Sequence, residues 1–410
     1  MTYSLRIWRA ALLIGLVAVS GPGLYAQSKP TYSTVFQFTY NNGAYPFGTL
    51  VYGKNGSLFG ATFGGGKYGY GAIYEMTPPT SGQSWTPAII FAFQTPATQG
   101  SNPYGGLLVG PNGALYGTTT RGGANGVGTV YELAPPVKPG AGWSETLLYS
   151  FGSTEGDGSF PYSGVVTDAN GNFYGTTVLG GAAGVGTVYS LTPSGKGWEE
   201  TVLHSFGGDG DASNPYASLA IDANGILYGT APYGGQAGLG AVFSVAPSDG
   251  SWTEQVLCSF PGGAVGANPY GGLLIAGGAL YGSNANGGST SSGTVFTCAP
   301  AGSGGWALNV IFDLPSYASS YGTLITDGSG SLYGTTPGSH GAQANDGIIF
   351  KLTPPTESGG EWTATTLFAF PGAQGDGPRA GVIWGPGGAL YGTTVGLGKS
   401  FAGNVFELAF

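Results

Sequence analysis

The sequence predicts an all-β fold: a seven-bladed β-propeller with four-stranded blades. Two observations support this prediction, a motif that occurs seven times and a strand that is missing from the last repeat. The motif is Leu-Tyr-Gly-Thr-Thr, a Gly-Gly loop and Gly-Thr-Val-Tyr, and its clearest copy runs from Leu115 to Tyr131. Its aromatic position returns every 52 to 58 residues, at Phe59, Tyr116, Tyr174, Tyr228, Tyr281, Tyr333 and Tyr391. A period near fifty with strand-like segments is typical of propeller blades, because most solenoid repeats are shorter.

Each repeat contains four strand candidates separated by turn residues, and the repeats begin near residues 46, 103, 161, 215, 269, 321 and 378. In the second repeat the fourth candidate alternates, with Leu147, Tyr149 and Phe151 on one face. Such alternation buries one face of a strand. A tryptophan opens six of these outer strands, and we expect the rings to pack between blades rather than to recognise a ligand. The six are Trp85, Trp143, Trp198, Trp252, Trp306 and Trp362.

The seventh repeat ends at Phe410 after its third strand. Residues Ser33 to Phe38 have the alternation of an outer strand and precede the first repeat. We therefore expect this N-terminal strand to complete the last blade, which would remove the open edges of the sheet. The interpretation makes residues 27–410 a single propeller domain, although the length alone would suggest two or three domains.

Residues 1–26 have the pattern of a secretory signal peptide. Arg6 and Arg9 form a basic start, an apolar run extends from Ala10 to Val19, and Ala26 offers a small residue for cleavage. The run is too short for a membrane span. We expect a secreted or periplasmic protein without a C-terminal anchor.

The composition is acidic and poor in charge. The formal net charge is −9, or −11 after loss of the two leader arginines, and charged residues make up 8% of the chain. A nucleic-acid partner requires a basic surface to neutralise phosphates, so this class is excluded. Glycine contributes 82 residues, but regular apolar strands and 25 tyrosines supply the core that a disordered chain lacks.

Cysteine and loop motifs indicate no metal or cofactor. Cys258 and Cys298 occupy positions that other repeats fill with apolar or aromatic residues, so two buried thiols are at least as consistent with the sequence as a disulfide. The turn that begins at Asp168 resembles the start of a calcium loop but lacks the terminal carboxylate, and a hairpin turn with positive φ at glycine explains it. The Gly-rich loops join strand to strand, whereas phosphate loops lead into a helix.

Candidates for catalysis are few. His204 lies at an aromatic core position and His340 lies in an irregular loop. The sequence contains neither a Gly-x-Ser-x-Gly elbow nor a His-Glu-x-x-His pair. Six loop carboxylates have the chemistry of an acid and base pair, although their spacing does not show pairing. They are Glu155, Asp157, Asp209, Asp211, Asp346 and Asp376.

A cationic and aromatic cluster is the candidate binding site. In a propeller, the loops between the second and third strands share a rim with the connectors between blades. Closure of the ring would bring blades seven, one and two together there, and the predicted ligand-binding residues are Lys67, Tyr68, Tyr70, Arg121, Arg379 and Lys399. Aromatic rings stack on the apolar faces of sugars, and cations beside them bind the anionic groups of carboxylated polymers. Scattered surface charge is the alternative interpretation.

The repeat resembles the GloVer-type tandem repeat of exported bacterial proteins. The resemblance covers about residues 31–410 and is best seen at Leu115–Pro135 and Phe173–Pro193. It implies no established activity. Proteins of this type usually carry an exchangeable C-terminal anchor, which this sequence lacks. Blade five also departs from the pattern, with a shortened turn at 275–278 and Ser283-Asn284 in place of Thr-Thr.

The functional expectation is an exported, non-enzymatic binding or scaffold module that recognises polysaccharide or another surface polymer. One alternative is a secreted polysaccharide lyase or glycoside hydrolase that acts in the central depression. The other is a structural envelope protein that self-associates.

Overall fold

The computed structural model describes residues 29–80, 84–138, 140–195, 197–302, 304–315, 320–338, 347–357, 359–370, 377–396 and 402–410. They form seven four-stranded antiparallel sheets arranged as a β-propeller, which confirms the predicted fold class. The predicted leader lies outside the described residues. No helix in the described ranges is long and apolar enough to cross a membrane.

Six blades are each built from four strands that follow one another in the chain. Blade 1 contains β2 (Val51–Tyr52), β3 (Leu58–Thr62), β4 (Ala72–Thr77) and β5 (Thr86–Ala92). Blade 2 contains β6 (Leu108–Val109), β7 (Leu115–Thr119), β8 (Thr129–Ala134) and β9 (Ser144–Ser150). Blade 3 contains β11 (Val166–Thr167), β12 (Phe173–Thr177), β14 (Thr187–Ser194) and β15 (Gly197–Ser205). Blade 4 contains β17 (Ala220–Ile221), β18 (Leu227–Ala231), β20 (Ala241–Ser248) and β21 (Ser251–Ser259).

The remaining strands follow the same order. Blade 5 contains β22 (Leu274–Ala276), β23 (Ala279–Ser283), β24 (Thr294–Pro300) and β25 (Trp306–Asp313). Blade 6 contains β26 (Ile325–Thr326), β27 (Leu332–Thr336), β28 (Ile348–Thr353) and β29 (Thr363–Ala369). Two small ladders join connectors to loops, β10 (Gly158–Ser159) with β13 (Leu179–Gly180) and β16 (Ala212–Ser213) with β19 (Tyr233–Gly234). Helical turns are α1 (Pro96–Gln99) and two 3₁₀ turns, Gly263–Val265 and Pro386–Gly388.

Blade 7 is assembled from both ends of the chain. It contains β30 (Ile383–Trp384), β31 (Leu390–Thr394), β32 (Asn404–Ala409) and, as its outer strand, β1 (Thr31–Gln37). β1 pairs antiparallel with β32, and the backbone N–H of Phe38 donates to the carbonyl of Gly403 at 2.9 Å. The predicted closure of the last blade by the N-terminal strand is therefore confirmed.

Aromatic side chains form the contacts between neighbouring blades. A phenylalanine directly follows six of the seven outer strands and packs edge-on against the aromatic of the third strand of the next blade, as Phe151 does on Tyr189 at 5.0 Å between ring centroids. Across the closure, Phe38 does the same on Tyr74 at 4.9 Å. Five of the six outer-strand tryptophans contact the motif aromatic of the preceding blade, which confirms the predicted packing between blades for these five, whereas Trp198 stacks on Phe173 of its own blade at 4.9 Å. The five pairs are Trp143–Phe59, Trp252–Tyr174, Trp306–Tyr228, Trp362–Tyr281 and Trp85–Tyr391.

The threonines of the motif bond one blade to the next. The first Thr donates its hydroxyl to a backbone carbonyl in the connector of the following blade, at 2.6 Å from Thr118 to Ser163 and 2.8 Å from Thr230 to Gly271. The same bond is made by Thr176, Thr335 and Thr393. In blade 5, Ser283 bonds the hydroxyl of Ser320 at 2.9 Å, so its departure from the motif keeps the contact. These bonds fix the connectors near the propeller axis.

The turn at Asp168 is a hairpin, as predicted. Gly171 has φ 84°, and the Asp168 carboxylate accepts hydrogen bonds from the backbone of Asn170 and Asn172 at 2.9 and 3.0 Å. Tyr174 also donates its hydroxyl to Asp168, at 3.1 Å. The carboxylate therefore has a local structural role in the turn.

Candidate functional site

The mouth of the central channel carries one residue from each of the seven connectors. Each residue stands just before the inner strand of its blade, and in six blades it directly follows a proline. Because the connectors converge on the axis, equivalent positions of the repeat form a ring. We call this ring the aromatic girdle, and its members are Phe47, Tyr104, Tyr162, Tyr216, Tyr270, Tyr321 and Arg379.

The six rings of the girdle form a continuous series of contacts. Phe47 stacks on Tyr104 with ring centroids 4.6 Å apart and planes inclined by 18°. The next centroid distances are 5.0 Å from Tyr104 to Tyr162 and 5.2 Å from Tyr162 to Tyr216. The series then continues at 5.4 Å in each step, through Tyr270 to Tyr321. Tilted and edge-to-face arrangements at such distances are favourable for aromatic pairs.

Arg379 ends this series. Its guanidinium lies 5.6 Å from the ring centroid of Tyr321, within the range of a cation–π interaction. The girdle thus places one cation among six aromatic rings, and every member is half-buried.

The girdle surrounds a cavity of about 190 Å³. Small residues allow this arrangement, because neighbouring blades nearly touch at the axis. A Cβ on Gly105 would lie 2.3 Å from the backbone nitrogen of Gly164, and a Cβ on Gly322 would lie 2.6 Å from that of Gly381. The glycines after the girdle residues let the backbones meet, and the large side chains line the cavity.

Burial favours the neutral, protonated form of three girdle tyrosines, Tyr104, Tyr216 and Tyr270. It raises the pKa of Tyr104 to about 12, although the positive charge of Arg379 acts in the opposite direction. Burial also raises the pKa of Tyr216, and of Tyr270, where the hydrogen bond with Tyr233 adds to the effect. At physiological pH these hydroxyl groups therefore donate and accept hydrogen bonds as neutral phenols.

The cavity offers no pair of carboxylates in the described part of the chain, since its lining there contains no Asp, Glu or His. Two of the loop carboxylates considered for catalysis have structural partners instead. Asp157 accepts hydrogen bonds from the hydroxyl of Tyr149 and the backbone of Ser153, both at 2.9 Å, and Asp211 pairs with His204. Glu155 and Asp209 are exposed. His340, Asp346 and Asp376 lie outside the described residues.

The structure separates the predicted ligand-binding residues into two groups. Lys67, Tyr68 and Tyr70 are exposed in the loop between β3 and β4, where the Lys67 amine lies 5.0 Å from the ring centroid of Tyr68. Arg121 is exposed in the corresponding loop of blade 2. The backbones of Tyr70 and Arg121 bond to adjacent residues of one connector, Asn102 and Ser101, so these two loops are neighbours. We call these four residues the rim cluster.

Of the other two predicted residues, Arg379 is not part of the rim cluster. Arg379 lines the central cavity as a member of the girdle. Lys399 lies outside the described residues. Whether the rim cluster binds a ligand stays a prediction.

Sequence reasoning missed the six aromatic members of the girdle. The signal was present, since Pro-Tyr or Pro-Phe precedes the first strand in five repeats, as at Pro103-Tyr104 and Pro161-Tyr162. These positions lie in connectors, where no strand alternation indicates which way a side chain points. Only the assembled ring brings the seven positions to one cavity.

Comparison with known proteins identifies the repeat. The family model described as the Gloeobacter/Verrucomicrobia repeat matches residues 24–157, 137–308 and 278–410. The chain therefore belongs to this repeat family, which confirms the resemblance found in its motifs. None of the curated proteins matches the sequence.

Solved structures of similar fold include a polysaccharide lyase and a GH74 enzyme. One is a PL25 polysaccharide lyase, an ulvan lyase bound to -[GlcA(1-4)Rha3S]-, with 11% identity, a TM-score of 0.56 and coverage of 91% of this chain and 95% of the lyase. The other is an ancestral GH74 enzyme, with 12% identity, a TM-score of 0.52 and coverage of 93% of this chain and 51% of the enzyme. At these identities the likeness extends to the fold alone.

Proposed function

We propose that this protein is a carbohydrate-binding propeller whose aromatic girdle holds a saccharide at the mouth of the central channel. The observation that carries the proposal is the girdle itself, six contiguous aromatic rings and one arginine around a cavity. Aromatic rings offer flat apolar faces on which the C–H faces of sugars stack, while phenol hydroxyls bond sugar hydroxyls.

Arg379 gives the proposed site a preference for acidic saccharides. A guanidinium binds a carboxylate or sulfate through two parallel hydrogen bonds, and it stays charged at all physiological pH values. The cavity lies in a protein of net charge −9, so a local cation is needed to hold an anionic ligand against the overall field.

Binding without turnover is the activity that the described cavity supports. Burial raises the pKa of Tyr104 in this cavity to about 12, and the described lining lacks the carboxylate pair that glycoside hydrolysis requires. The exposed rim cluster with Lys67 and Arg121 is proposed as an extension of the site toward a longer polymer. Export from the cell, as a secreted or periplasmic protein, remains part of this proposal on the strength of the leader pattern.

The test is a glycan array followed by titration calorimetry with the best acidic oligosaccharide. We expect Arg379→Gln to weaken binding by about 10- to 100-fold, in line with about 1.5–3 kcal/mol for a charged hydrogen bond. Tyr162→Leu should weaken binding by about three- to tenfold through loss of ring stacking. Thermal unfolding of both variants checks that the ring is intact.

The triple variant Lys67→Ala, Arg121→Ala, Lys399→Ala is compared with these two girdle variants in the same binding assay. If the rim cluster extends the site, this variant loses affinity only for longer oligomers, and added salt reduces the difference because exposed charges are screened. Unchanged binding by folded Arg379→Gln and Tyr162→Leu would contradict the proposal.

Polymer digestion assays with the array ligands separate the alternatives. Release of products that Arg379→Gln abolishes would establish a lyase or hydrolase in place of a binding module. Absence of any glycan ligand, together with concentration-dependent assembly in sedimentation experiments, would favour the structural envelope protein.

A further inference from the structure

Three side chains with metal-binding chemistry converge between the outer strands of blades 3 and 4. His204 lies on β15, Asp211 lies in the connector that follows it, and Glu254 lies on β21. The Nε2 atom of His204 is 3.1 Å from Oδ2 of Asp211. One donor atom from each of the three residues lies within 4.8 Å of the others. The cluster therefore joins three separate segments of two blades.

Two oxygens of this cluster are buried without a hydrogen-bond partner in the described part of the chain, Oδ1 of Asp211 and Oε1 of Glu254. The Asp211 side chain is nine-tenths buried, with 10% exposure. A buried carboxylate oxygen that makes no hydrogen bond costs free energy, and a bound cation removes that cost. Oδ1 of Asp157 and Oε1 of Glu200 are unpartnered in the same way at the interface between blades 2 and 3, so open carboxylate oxygens are common to both interfaces and the remaining ligand decides whether a metal binds.

The neighbouring interface, between blades 2 and 3, shows which part of the cluster is structural. There Tyr149 takes the position of His204, and its hydroxyl donates to Asp157 at 2.9 Å beside Glu200. Asp157 and Asp211 both accept a backbone N–H from their own connector, at 2.9 and 3.0 Å. The aspartates therefore have the same loop-closing role.

The histidine is the difference between the two interfaces. An imidazole nitrogen is a good ligand for transition metals, whereas a neutral phenol is a poor one. His204 also keeps the packing of the tyrosine that it replaces, since its ring lies edge-on to Phe206 at 4.8 Å, as Tyr149 lies to Phe151 at 5.2 Å.

We propose that His204, Asp211 and Glu254 bind one zinc ion, or a similar divalent transition metal, that joins blades 3 and 4. One nitrogen and two carboxylate oxygens suit zinc, which takes four ligands at about 2.0–2.2 Å and leaves one position here for water. Donor atoms in such a site stand roughly 3.3–3.6 Å apart, so small side-chain rotations complete it. Calcium and magnesium prefer oxygen ligands alone.

The experiment measures zinc bound to protein that has first been stripped with a chelator. Titration calorimetry and elemental analysis after dialysis should find one zinc per wild-type chain, and thermal unfolding should shift to higher temperature when zinc is added. His204→Tyr recreates the side chain of the neighbouring interface, and Glu254→Gln keeps the shape of the glutamate. Each variant should lose the stoichiometric zinc and the rise in unfolding temperature that added zinc gives the wild-type protein.

A gain of binding is the sharper test. Tyr149→His supplies an imidazole beside Asp157 and Glu200, and we expect two zinc ions per chain in this variant. His340→Ala, which changes the other histidine of the sequence, should leave one. The proposal is overturned if wild-type protein shows no saturable zinc binding, or if His204→Tyr and Glu254→Gln both retain the bound zinc.

Discussion

At the residue scale, the glycine of the Leu-Tyr-Gly motif makes room for one aromatic ring. A Cβ on Gly175 would lie 2.4 Å from the hydroxyl of Tyr189, and a Cβ on Gly229 would lie 2.3 Å from the ring of Phe243. The same relation holds in all seven blades. In six blades this aromatic also receives the phenylalanine of the preceding blade, so the glycine is required by packing and not by backbone conformation.

We expect Gly175→Ala to destabilise the protein by about 1–3 kcal/mol, as overpacking of a core does. Its effect is measured by chemical unfolding. Gly197→Ala is the matched control, since it also lies in a strand of blade 3 and a Cβ there meets nothing within 4 Å. Equal stability of the two variants would show that Tyr189 moves aside without cost.

A second prediction at this scale concerns Glu200. Burial, and then the charge of Asp157, raises the pKa of Glu200 to about 7 from its usual 4.5. The folded state therefore holds this proton more tightly than the unfolded state. The tighter binding of this proton stabilises the folded state fully below pH 4.5, and this stabilisation is lost as the pH rises to about 7.

Glu200→Gln removes this titration, because the amide stays neutral. Thermal unfolding at pH 5 and pH 8 should show a variant that is close to wild type at pH 5 and more stable than wild type at pH 8. The adjacent Glu199→Gln alters an exposed carboxylate and serves as the control. If Glu200→Gln raises the unfolding temperature by the same amount at both pH values, the pKa of Glu200 is not raised in the folded state.

At the scale of the elements, β1 is the strand on which the closure of the ring depends. It lies against β32, and Phe38, which follows it, is fully buried against Tyr74 of blade 1. Without β1, the ladder edge of β32 is open, and open edges are sites of aggregation.

Deletion of residues 27–40 should therefore lower the unfolding temperature and produce oligomers in size-exclusion chromatography. Deletion of 27–30 is the control, because it stops just before β1 at Thr31. A monomeric 27–40 deletion with the thermal stability of the control would refute the role assigned to this strand.

The elements also show what the sequence determines and what it does not. The strands and the closure were predictable because alternation along β9 and β1 and the Gly-containing turns are local signals. The girdle was not, because Tyr104 and its equivalents become neighbours only through the curvature of the ring. The sequence also left the state of the cysteines open, because their contact joins two different repeats.

At the scale of the whole molecule, the blades are held by many small contacts and one covalent bond. Cys258 on β21 and Cys298 on β24 form a disulfide between blades 4 and 5, across a sequence separation of 40 residues. Of the two states that the sequence left open, a disulfide or two buried thiols, the structure shows the disulfide. The rest of that interface resembles the others, with Phe260 packed edge-on to Phe296 at 4.9 Å.

The double variant Cys258→Ala, Cys298→Ala should lose about 4 kcal/mol of unfolding free energy, the entropic value for a loop of this length. Denaturant titration measures the loss. A reducing agent should lower the stability of wild-type protein to a similar extent and leave the double variant unchanged. If the reducing agent also lowers the stability of the double variant, its effect on the wild-type protein does not come from this disulfide.

The assembly of blade 7 from both chain ends has a consequence for the order in which the molecule is made. β1 is the first described strand to be synthesised, and its partner β32 is the last. The strands of the other six blades are all synthesised before β32, since the chain grows from its N-terminus. Until β32 is made, β1 lacks the strand that it pairs with, so closure of the ring waits for the last described strand. A chain that stops before β32 cannot complete blade 7 and remains an open arc.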